Sequence, residues 1–315
     1  MGSKFSINKI KNKKAQNLFI KFRKQFPEEE FISTDEKKKH YGVIEIIYRE
    51  CQRKKKDLNK FLLKLDNSRL GIKGLEALCT SLYEDDCVTQ LSLRKSEINQ
   101  QGARIISELL KKNQTITDID LSSNPVGTAG VRFLVDAIIS IESEKQNLKA
   151  LYLNNIELKE EGAIIVSYLL ENNQKLEILE IGANDITSRG LGYIADALKG
   201  NTRLVSLNLE SNPKLTSEDV EEVTKIVTRN AIINEVIEGL LNNACQRQFK
   251  TRMIVFDKSI RGLAMLEGKK NQMNQARGTP LYQVFQQSIT KSKQDVPKVE
   301  KIENFSMRFV SCWYR

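Results

Sequence analysis

Two carboxylates lie one residue apart in the stretch TDIDLSSNPVGTAG, which runs from Thr117 to Gly130. Asp118 and Asp120 are residue types that could act as a general acid and base, or could supply oxygen ligands to a metal ion. A third reading is that both belong to one β-strand, where alternate side chains point to the same face. The surroundings of the stretch decide between these chemistries.

The stretch is one copy of an internal repeat. An apolar anchor residue recurs at spacings of 28, 28, 32, 28 and 28 residues. The anchors are Leu65, Leu93, Leu121, Leu153, Ile181 and Leu209, and glycine follows the first five after nine residues, at Gly74, Gly102, Gly130, Gly162 and Gly190. A constant period between about 20 and 50 residues predicts a solenoid of stacked units.

Each unit changes its apolar period midway. Around the anchor, apolar residues alternate with others, as in Ile119 and Leu121, which predicts a short strand with one buried face. After the glycine they recur every four residues, as in Leu134 and Ile138, which predicts a helix. The glycine suits either a tight entry into this helix or close packing between units. Stacked units of this kind form a parallel sheet on one side and a helical layer on the other.

The best-preserved unit reads Ile116, Ile119, Leu121, Asn124, Val126 and Gly130, which resembles the leucine-rich repeat family of the ribonuclease-inhibitor-like subtype. The resemblance covers residues 61–243 and implies an α/β horseshoe with the sheet on its concave face and the helices on its convex face. The family's turn asparagine is kept at Asn124, Asn184 and Asn212. It is replaced at Ser68, Ser96 and Ile156, where looser turns are expected.

Alternate strand residues are expected to line the concave face. Asp118 and Asp120 then belong to a surface with little charge compensation, and Tyr152 is its aromatic anchor. The residues expected to bind a partner are Arg94, Asp118, Asp120, Tyr152, Asn154, Glu180, Asn208 and Glu210. The alternative is an ordinary solvated sheet face.

Composition argues against catalysis and against metal or cofactor binding. His40 is the single histidine of the 315 residues, which excludes a recognisable Cys/His zinc site and disfavours a Ser-His-Asp triad. The five cysteines form no C-x-x-C pair and are expected to be reduced thiols. No phosphate-binding glycine motif, membrane span or secretory signal is present in the sequence. A non-enzymatic cytoplasmic protein without catalytic, cofactor-binding or metal residues is therefore expected.

The charge distribution divides the chain. Residues 1–60 hold 17 lysines and arginines against 8 acidic residues, residues 61–243 hold 19 against 27, and residues 244–315 hold 14 against 5. We predict a basic N-terminal arm (1–32), a capping helix (33–60), about six repeats (61–243) and a basic docking tail (244–315). Basic arms favour acidic surfaces, such as nucleic acid, an anionic membrane or the tubulin lattice, unless they fold back on the solenoid.

Apolar residues within the arms are expected to dock on partners. They are Phe19, Phe22 and Phe26 on a basic helix, and Leu281, Phe285 and Trp313 in the tail. The alternatives are packing of the first helix on the solenoid's own end and a disordered tail. Gly2 and Ser6 match the myristoylation pattern, which would add a membrane. Ile233 and Val236 fit a last edge strand. The absence of an RNA-binding module and the acidic face argue against nucleic acid.

These features predict a protein–protein interaction scaffold within a multi-subunit complex. The chain is similar to short ribonuclease-inhibitor-like repeat proteins of the flagellar axoneme, among radial-spoke and dynein-regulatory subunits, which implies a cytoskeletal role in a cilium or flagellum. The alternatives are a tropomodulin-like actin regulator, a myristoylated peripheral membrane adaptor and a Ran-type GTPase activator.

Overall fold

The computed structural model describes residues 5–26, 34–56 and 58–243. Six strands form one parallel sheet in chain order: β1 (Phe61–Lys64), β2 (Val88–Ser92), β3 (Asp118–Asp120), β4 (Ala150–Tyr152), β5 (Ile178–Glu180) and β6 (Ser206–Asn208). The helices are α1 (Lys13–Gln25), α2 (Thr34–Gln52), α3 (Gly71–Leu82), α4 (Gln100–Lys112), α5 (Gly127–Ser140), α6 (Lys159–Asn172), α7 (Ser188–Gly200) and α8 (Ser217–Asn243). The chain is therefore an α/β leucine-rich repeat solenoid, as the sequence predicts.

Equivalent residues of neighbouring strands are aligned across the sheet. Ile119 pairs with Leu91 on one side and with Leu151 on the other, and all three are buried in the core. Their strand neighbours therefore project from the side of the sheet that faces away from the core. One core runs through all the repeats, because each unit buries its apolar residues against the next.

The repeated glycine serves close packing between helices. A Cβ at Gly130 would lie 2.7 Å from Val126 Cγ1 and 3.1 Å from the Ala103 Cβ of the preceding helix. Positive φ values occur instead in the turns that lead into the helices and at the first residue of a helix, as at Gly127, where φ is 65°. Of the two roles open to this glycine, the structure supports close packing.

Buried asparagines connect the turns that follow the strands. Asn124 accepts from the backbone N–H groups of Ser96 and Ile98 in the preceding repeat, at 2.8 and 3.1 Å, and donates to the carbonyl of Leu93. Asn184 and Asn212 make the equivalent bonds. The Ser96 hydroxyl donates to Leu65 O and accepts from Ser68 N, so a looser turn is the wrong prediction for Ser96.

A second set of polar side chains connects the ends of the helices. Asn201 donates to the carbonyls of Leu170 and Asn173, and it accepts from the N–H groups of Arg203 and Leu204. Asn113 makes equivalent bonds. These side chains satisfy backbone groups that a helix end leaves unpaired inside the core.

The N-terminal segment is part of the core. Helix α1 packs against α2 and α3, and it buries Phe19 and Phe22 almost completely, with Phe26 at its end also buried. The prediction that these three phenylalanines dock on a partner is therefore wrong, and the alternative of packing on the chain's own end is correct. Helix α2 begins at Thr34, within the predicted capping helix (33–60), and contacts β1 at the edge of the sheet.

Helix α8 replaces the strand that the sequence predicts at the C-terminal edge. Ile233 and Val236 lie within this 27-residue helix, and Ile233 is buried. Asn230 in the middle of α8 still donates to Asn201 O and Leu204 O, both at 3.0 Å. The edge of the sheet is thus closed by a helix that keeps the bonding pattern of the repeats. Gly2, Leu281, Phe285 and Trp313 lie outside the described residues.

Candidate protein-binding surface

The side of the sheet that faces away from the helices is formed by three alternate positions in each repeat, of which Ser122 and Ala150 are almost completely buried and Gly182 has no side chain. We call it the open sheet face. In chain order it comprises Leu62, Lys64 and Asp66; Gln90, Ser92 and Arg94; Asp118, Asp120 and Ser122; Ala150, Tyr152 and Asn154; Ile178, Glu180 and Gly182; and Ser206, Asn208 and Glu210. All eight residues of the expected binding set belong to it.

Tyr152 lies between carboxylates on both neighbouring strands. It pairs in register with Asp120 of β3 and with Glu180 of β5, and strands of a sheet are about 4.8 Å apart. Partial burial raises the pKa of the Tyr152 phenol, and the charges of Asp118, Glu180 and Asp120 raise it further. The phenol therefore stays neutral and presents a hydroxyl donor with an aromatic ring among acidic groups.

The carboxylates of this face have more partners than the sequence suggests. Asp120 accepts from Ser122 N at 2.9 Å, and its other oxygen lies 3.6 Å from Arg94 Nε. Glu180 accepts from the side-chain amide of Asn154, and Asp118 accepts from the hydroxyl of Thr117. The expectation of little charge compensation is wrong for Asp120, because Arg94 follows the neighbouring strand β2; it holds for Glu180, whose partner Asn154 is a neutral amide. Glu210 at the end of the face is exposed.

The two ends of the open sheet face differ in charge and shape. Strands β1 and β2 contribute Lys64 and Arg94 beside Asp66, whose carboxylate accepts from Arg94 N at 3.2 Å and lies 3.5 Å from Lys64 Nζ. A shallow depression of about 200 Å³ runs from Leu62 to Tyr152. Leu62, which is 38% exposed, was absent from the expected binding set, although the strand alternation places it outward. The charged residues that β3 to β6 and the turns after them contribute to this face are all acidic.

The described residues contain no group of three or more His, Cys, Asp or Glu side chains arranged to hold a metal ion. No described helix is both long and apolar enough to cross a membrane. Cys51, Cys79 and Cys87 are buried free thiols, and burial raises the pKa of each, that of Cys51 to about 12. These thiols stay protonated at neutral pH, and a protonated thiol is a poor nucleophile and a poor metal ligand.

Sequence comparison matches the chain to known repeat proteins. A family model described as Leucine Rich repeat matches residues 112–135 and 172–195. The Ribonuclease inhibitor of Mus musculus is 28% identical over 214 residues, which cover 58% of this chain and 47% of that protein. The mouse NACHT, LRR and PYD domains-containing protein 4E is 28% identical over 227 residues, which cover 66% of this chain and 23% of that protein. The chain thus spans less than half the length of these relatives.

Two solved structures align with part of this chain. The Leiomodin-1 Actin-Binding Site 2 aligns with a TM-score of 0.39 and 18% identity, covering 60% of this chain and 91% of that one. The tropomodulin C-terminal domain of Caenorhabditis elegans aligns with a TM-score of 0.36 and 12% identity, covering 57% and 89%. Neither similarity bears on activity.

Proposed function

We propose that this chain, a leucine-rich repeat protein of the ribonuclease-inhibitor-like subtype, is a non-enzymatic interaction scaffold whose open sheet face binds a basic segment of a partner protein. Leucine-rich repeat domains are in general protein-binding scaffolds. The observation that carries the proposal is the position of Tyr152 between Asp120 and Glu180 on the open sheet face.

The chemistry of the face favours a cationic partner. A lysine or arginine side chain can lie over the Tyr152 ring while its charge is shared by carboxylates on both sides. Asp118 and Glu210 extend the negative charge along strands β3 to β6. Complementary charge of this kind accelerates encounter and discriminates between partners, while a buried aromatic side chain supplies contact area.

The face is also sufficiently ordered to act as a preformed site. The carboxylate of Glu180 is held by the Asn154 side chain, whose Oδ1 accepts from Gly182 N at 2.7 Å. Asp120 is similarly fixed by Ser122 N and Arg94. Because these groups are already oriented by the sheet, little conformational entropy is lost when a partner binds.

Site-specific photo-crosslinking in the native assembly tests this proposal. A photoreactive residue at Ser206, which is exposed on the open sheet face, should crosslink to a partner, whereas one at the exposed Arg132 on the outer helix α5 should not. Digestion of the crosslinked product should identify a segment rich in lysine or arginine. Equal crosslinking from both positions, or an acidic segment at Ser206, would count against the proposal.

We further propose that the scaffold belongs to a large cytoskeletal assembly, such as the ciliary or flagellar axoneme. The support is the charge division of the sequence, in which the acidic repeats are followed by a basic segment carrying Leu281, Phe285 and Trp313. An acidic polymer such as the tubulin lattice is a suitable surface for that segment. This proposal places the protein in the cytoplasm, at the cytoskeleton.

Deletion of residues 244–315 tests the assembly proposal. Helix α8 ends at Asn243, so the truncated chain keeps every described element, including the phenylalanines of α1. It should remain folded and lose co-sedimentation with axonemes. Undiminished co-sedimentation would contradict the proposal. Elongation of pure actin at the pointed end separates the tropomodulin-like alternative, which predicts inhibition by the intact chain.

A further inference from the structure

Two segments that are distant in sequence meet at the N-terminal end of the repeats. The Asn12 side chain is buried, and its Nδ2 donates to Lys55 O at 2.7 Å and to Leu58 O at 2.8 Å. Its Oδ1 accepts from Ala15 N at 2.9 Å and thereby caps α1. One asparagine therefore fixes the start of α1 against the loop that joins α2 to β1. We call the surface formed by residues 7–13, 55–56 and 58–60 the N-terminal patch.

The N-terminal patch is rich in exposed lysines. Six exposed lysines belong to it: Lys9, Lys11, Lys13, Lys55, Lys56 and Lys60. None of them forms an ion pair within the described part of the chain, whereas the adjacent Arg53 and Lys54 both pair with Glu50. The sequence adds a single acidic residue to the patch, Asp57. The surface is thus strongly positive, in contrast to the acidic repeats that follow it.

Two large aliphatic side chains are exposed among these lysines. Ile7 is 38% exposed and Leu58 is 39% exposed. Both segments are tied to the first turn of α1: Asn12 Nδ2 donates to Leu58 O at 2.8 Å, and Gln16 Nε2, one helical turn later, donates to Ile7 O at 3.0 Å. Aliphatic side chains surrounded by lysines are the combination found on proteins that lie at a membrane interface.

We propose that the N-terminal patch docks the protein on an anionic membrane surface. The lysines face the lipid phosphates and carboxylates, and Ile7 and Leu58 enter the boundary between headgroups and acyl chains. Each lysine near such a surface increases the partition coefficient by about fivefold at physiological salt, so several together give stable association. This surface is separate from the open sheet face and does not depend on the function proposed for it.

The patch is better suited to lipid than to nucleic acid. Sequence-tolerant nucleic-acid binding uses aromatic side chains on which bases stack. The nearby aromatic residues Phe5, Phe19 and Tyr48 are buried and contact one another, with ring centroids of Phe5 and Tyr48 5.3 Å apart. The side chains left at the surface are aliphatic, and these gain from hydrocarbon rather than from a phosphodiester backbone.

Phe5, two residues before the N-terminal patch begins, is buried against Tyr48 of α2. Gly2 lies three residues before Phe5, a distance of at most about 11 Å in extended chain. An acyl group on Gly2 would therefore reach the same surface and supply a second membrane signal. The docking proposal itself requires only the lysines and the two aliphatic side chains.

Vesicle flotation of the intact, non-acylated chain tests the proposal. The chain should float with vesicles that contain phosphatidylserine and not with phosphatidylcholine alone, and raising the salt should release it. The variant with Lys55→Glu, Lys56→Glu and Lys60→Glu should lose binding by at least about a hundredfold, as three factors of five imply. A control with Lys111→Glu, Lys214→Glu and Lys225→Glu has the same net charge and exposed sites elsewhere, and it should bind as the unmodified chain does.

A second variant separates membrane from nucleic acid. Ile7→Ser with Leu58→Ser should weaken vesicle binding about tenfold or more and leave binding to single-stranded RNA unchanged. The circular dichroism spectrum and melting temperature of both patch variants should match those of the intact chain, since all five side chains are exposed. Three results would each overturn the proposal: no binding to anionic vesicles, equal loss in the control, or tight RNA binding with vesicle binding insensitive to Ile7 and Leu58.

Discussion

The side-chain amide of Asn173 donates a 3.0 Å hydrogen bond to Oε1 of Gln146, and this contact joins the one long repeat to its neighbour. Gln146 Nε2 donates in turn to the carbonyls of Ile138 and Ile141, at 2.6 and 3.1 Å. In the repeats of ordinary length, an asparagine side chain donates directly to the backbone carbonyls at the end of the helix. A longer glutamine side chain thus accommodates four extra residues without breaking the series of bonds.

Removal of this side chain should weaken the fold. Gln146→Ala leaves two carbonyls and the Asn173 amide without their protein partner, and we expect a loss of about 1–3 kcal/mol in the free energy of unfolding. Gln146→Glu should cost at least as much, because a carboxylate cannot donate to the carbonyls. Urea denaturation measures both. Gln114→Ala, on an exposed side chain, is the control, and an equal loss there would show that Gln146 has no special role.

The residues six positions after the anchors Leu121 and Leu153 allow the free-energy cost of a left-handed backbone conformation to be measured. Gly127 has a φ of 65° and Lys159 has a φ of 58° at equivalent places in consecutive repeats. A Cβ at Gly127 would meet no atom within 4 Å, so Gly127→Ala should cost about 1 kcal/mol from backbone conformation alone.

Lys159→Gly should have the opposite effect. Relief of the left-handed conformation is worth about 1–2 kcal/mol, and the added freedom of the unfolded chain removes about 0.5–1 kcal/mol of it. We therefore expect a net gain of about 0.5 kcal/mol, measured by the same urea titration. A loss of stability in Lys159→Gly would show that the lysine side chain contributes contacts that outweigh its backbone conformation.

The repeat itself is predictable because it is redundant. The apolar alternation around Leu121 and the four-residue apolar spacing after Gly130 recur in the other units. A departure from the pattern in one unit therefore does not change the predicted fold. The charged residues of the open sheet face follow from the same register, so the sequence predicts that Asp120, Tyr152 and Glu180 lie side by side.

The ends of the chain were not predictable in the same way, because each occurs once. The amphipathic face that contains Phe19 shows that one side of α1 is buried, and it does not show whether the burying surface belongs to this chain. Ile233 fits either a strand or a helix, and the helix continues because Val223, Asn230, Ile233 and Ile237 are buried at helical spacing. The sequence pattern does not single out Gln146, because the four-residue insertion places it one position away from the asparagine of the other repeats.

The buried thiol of Cys51 should make the free energy of unfolding fall as the pH rises above neutral. Burial raises the pKa of this thiol from 9.0 to about 12, so the folded chain keeps its proton while the unfolded chain loses it. The stabilising effect is complete below about pH 9 and is lost as the pH rises towards 12, by up to about 4 kcal/mol.

The variant Cys51→Ala should have a shallower alkaline decline than the unmodified chain. It will be less stable at neutral pH, because removal of a buried sulfur leaves a small cavity. The difference between the two chains should therefore shrink between neutral pH and about pH 10 to 11, as measured by urea titration at each pH. A constant difference across this range would show that the Cys51 thiol ionises no differently in the folded and unfolded chains.

Tyr152 should contribute more to binding than any single carboxylate of the open sheet face. The variant Tyr152→Leu keeps apolar bulk and removes the aromatic ring, so its affinity for an arginine-rich peptide should fall by roughly 2- to 30-fold, the range of a cation–π contact. Tyr152→Phe keeps the ring and should retain most of the affinity. Fluorescence anisotropy of a labelled peptide at constant ionic strength measures both. Tyr193→Leu is the matched control, since Tyr193 is 37% exposed on the outer helix α7.

Because the phenol of Tyr152 stays neutral, the affinity for the peptide should be constant from pH 7 to pH 9, the range below the ordinary tyrosine pKa of 10.0. Equal losses in Tyr152→Leu and Tyr193→Leu would mean that the peptide binds by diffuse charge, and the sheet would then be no more than the support of the repeats.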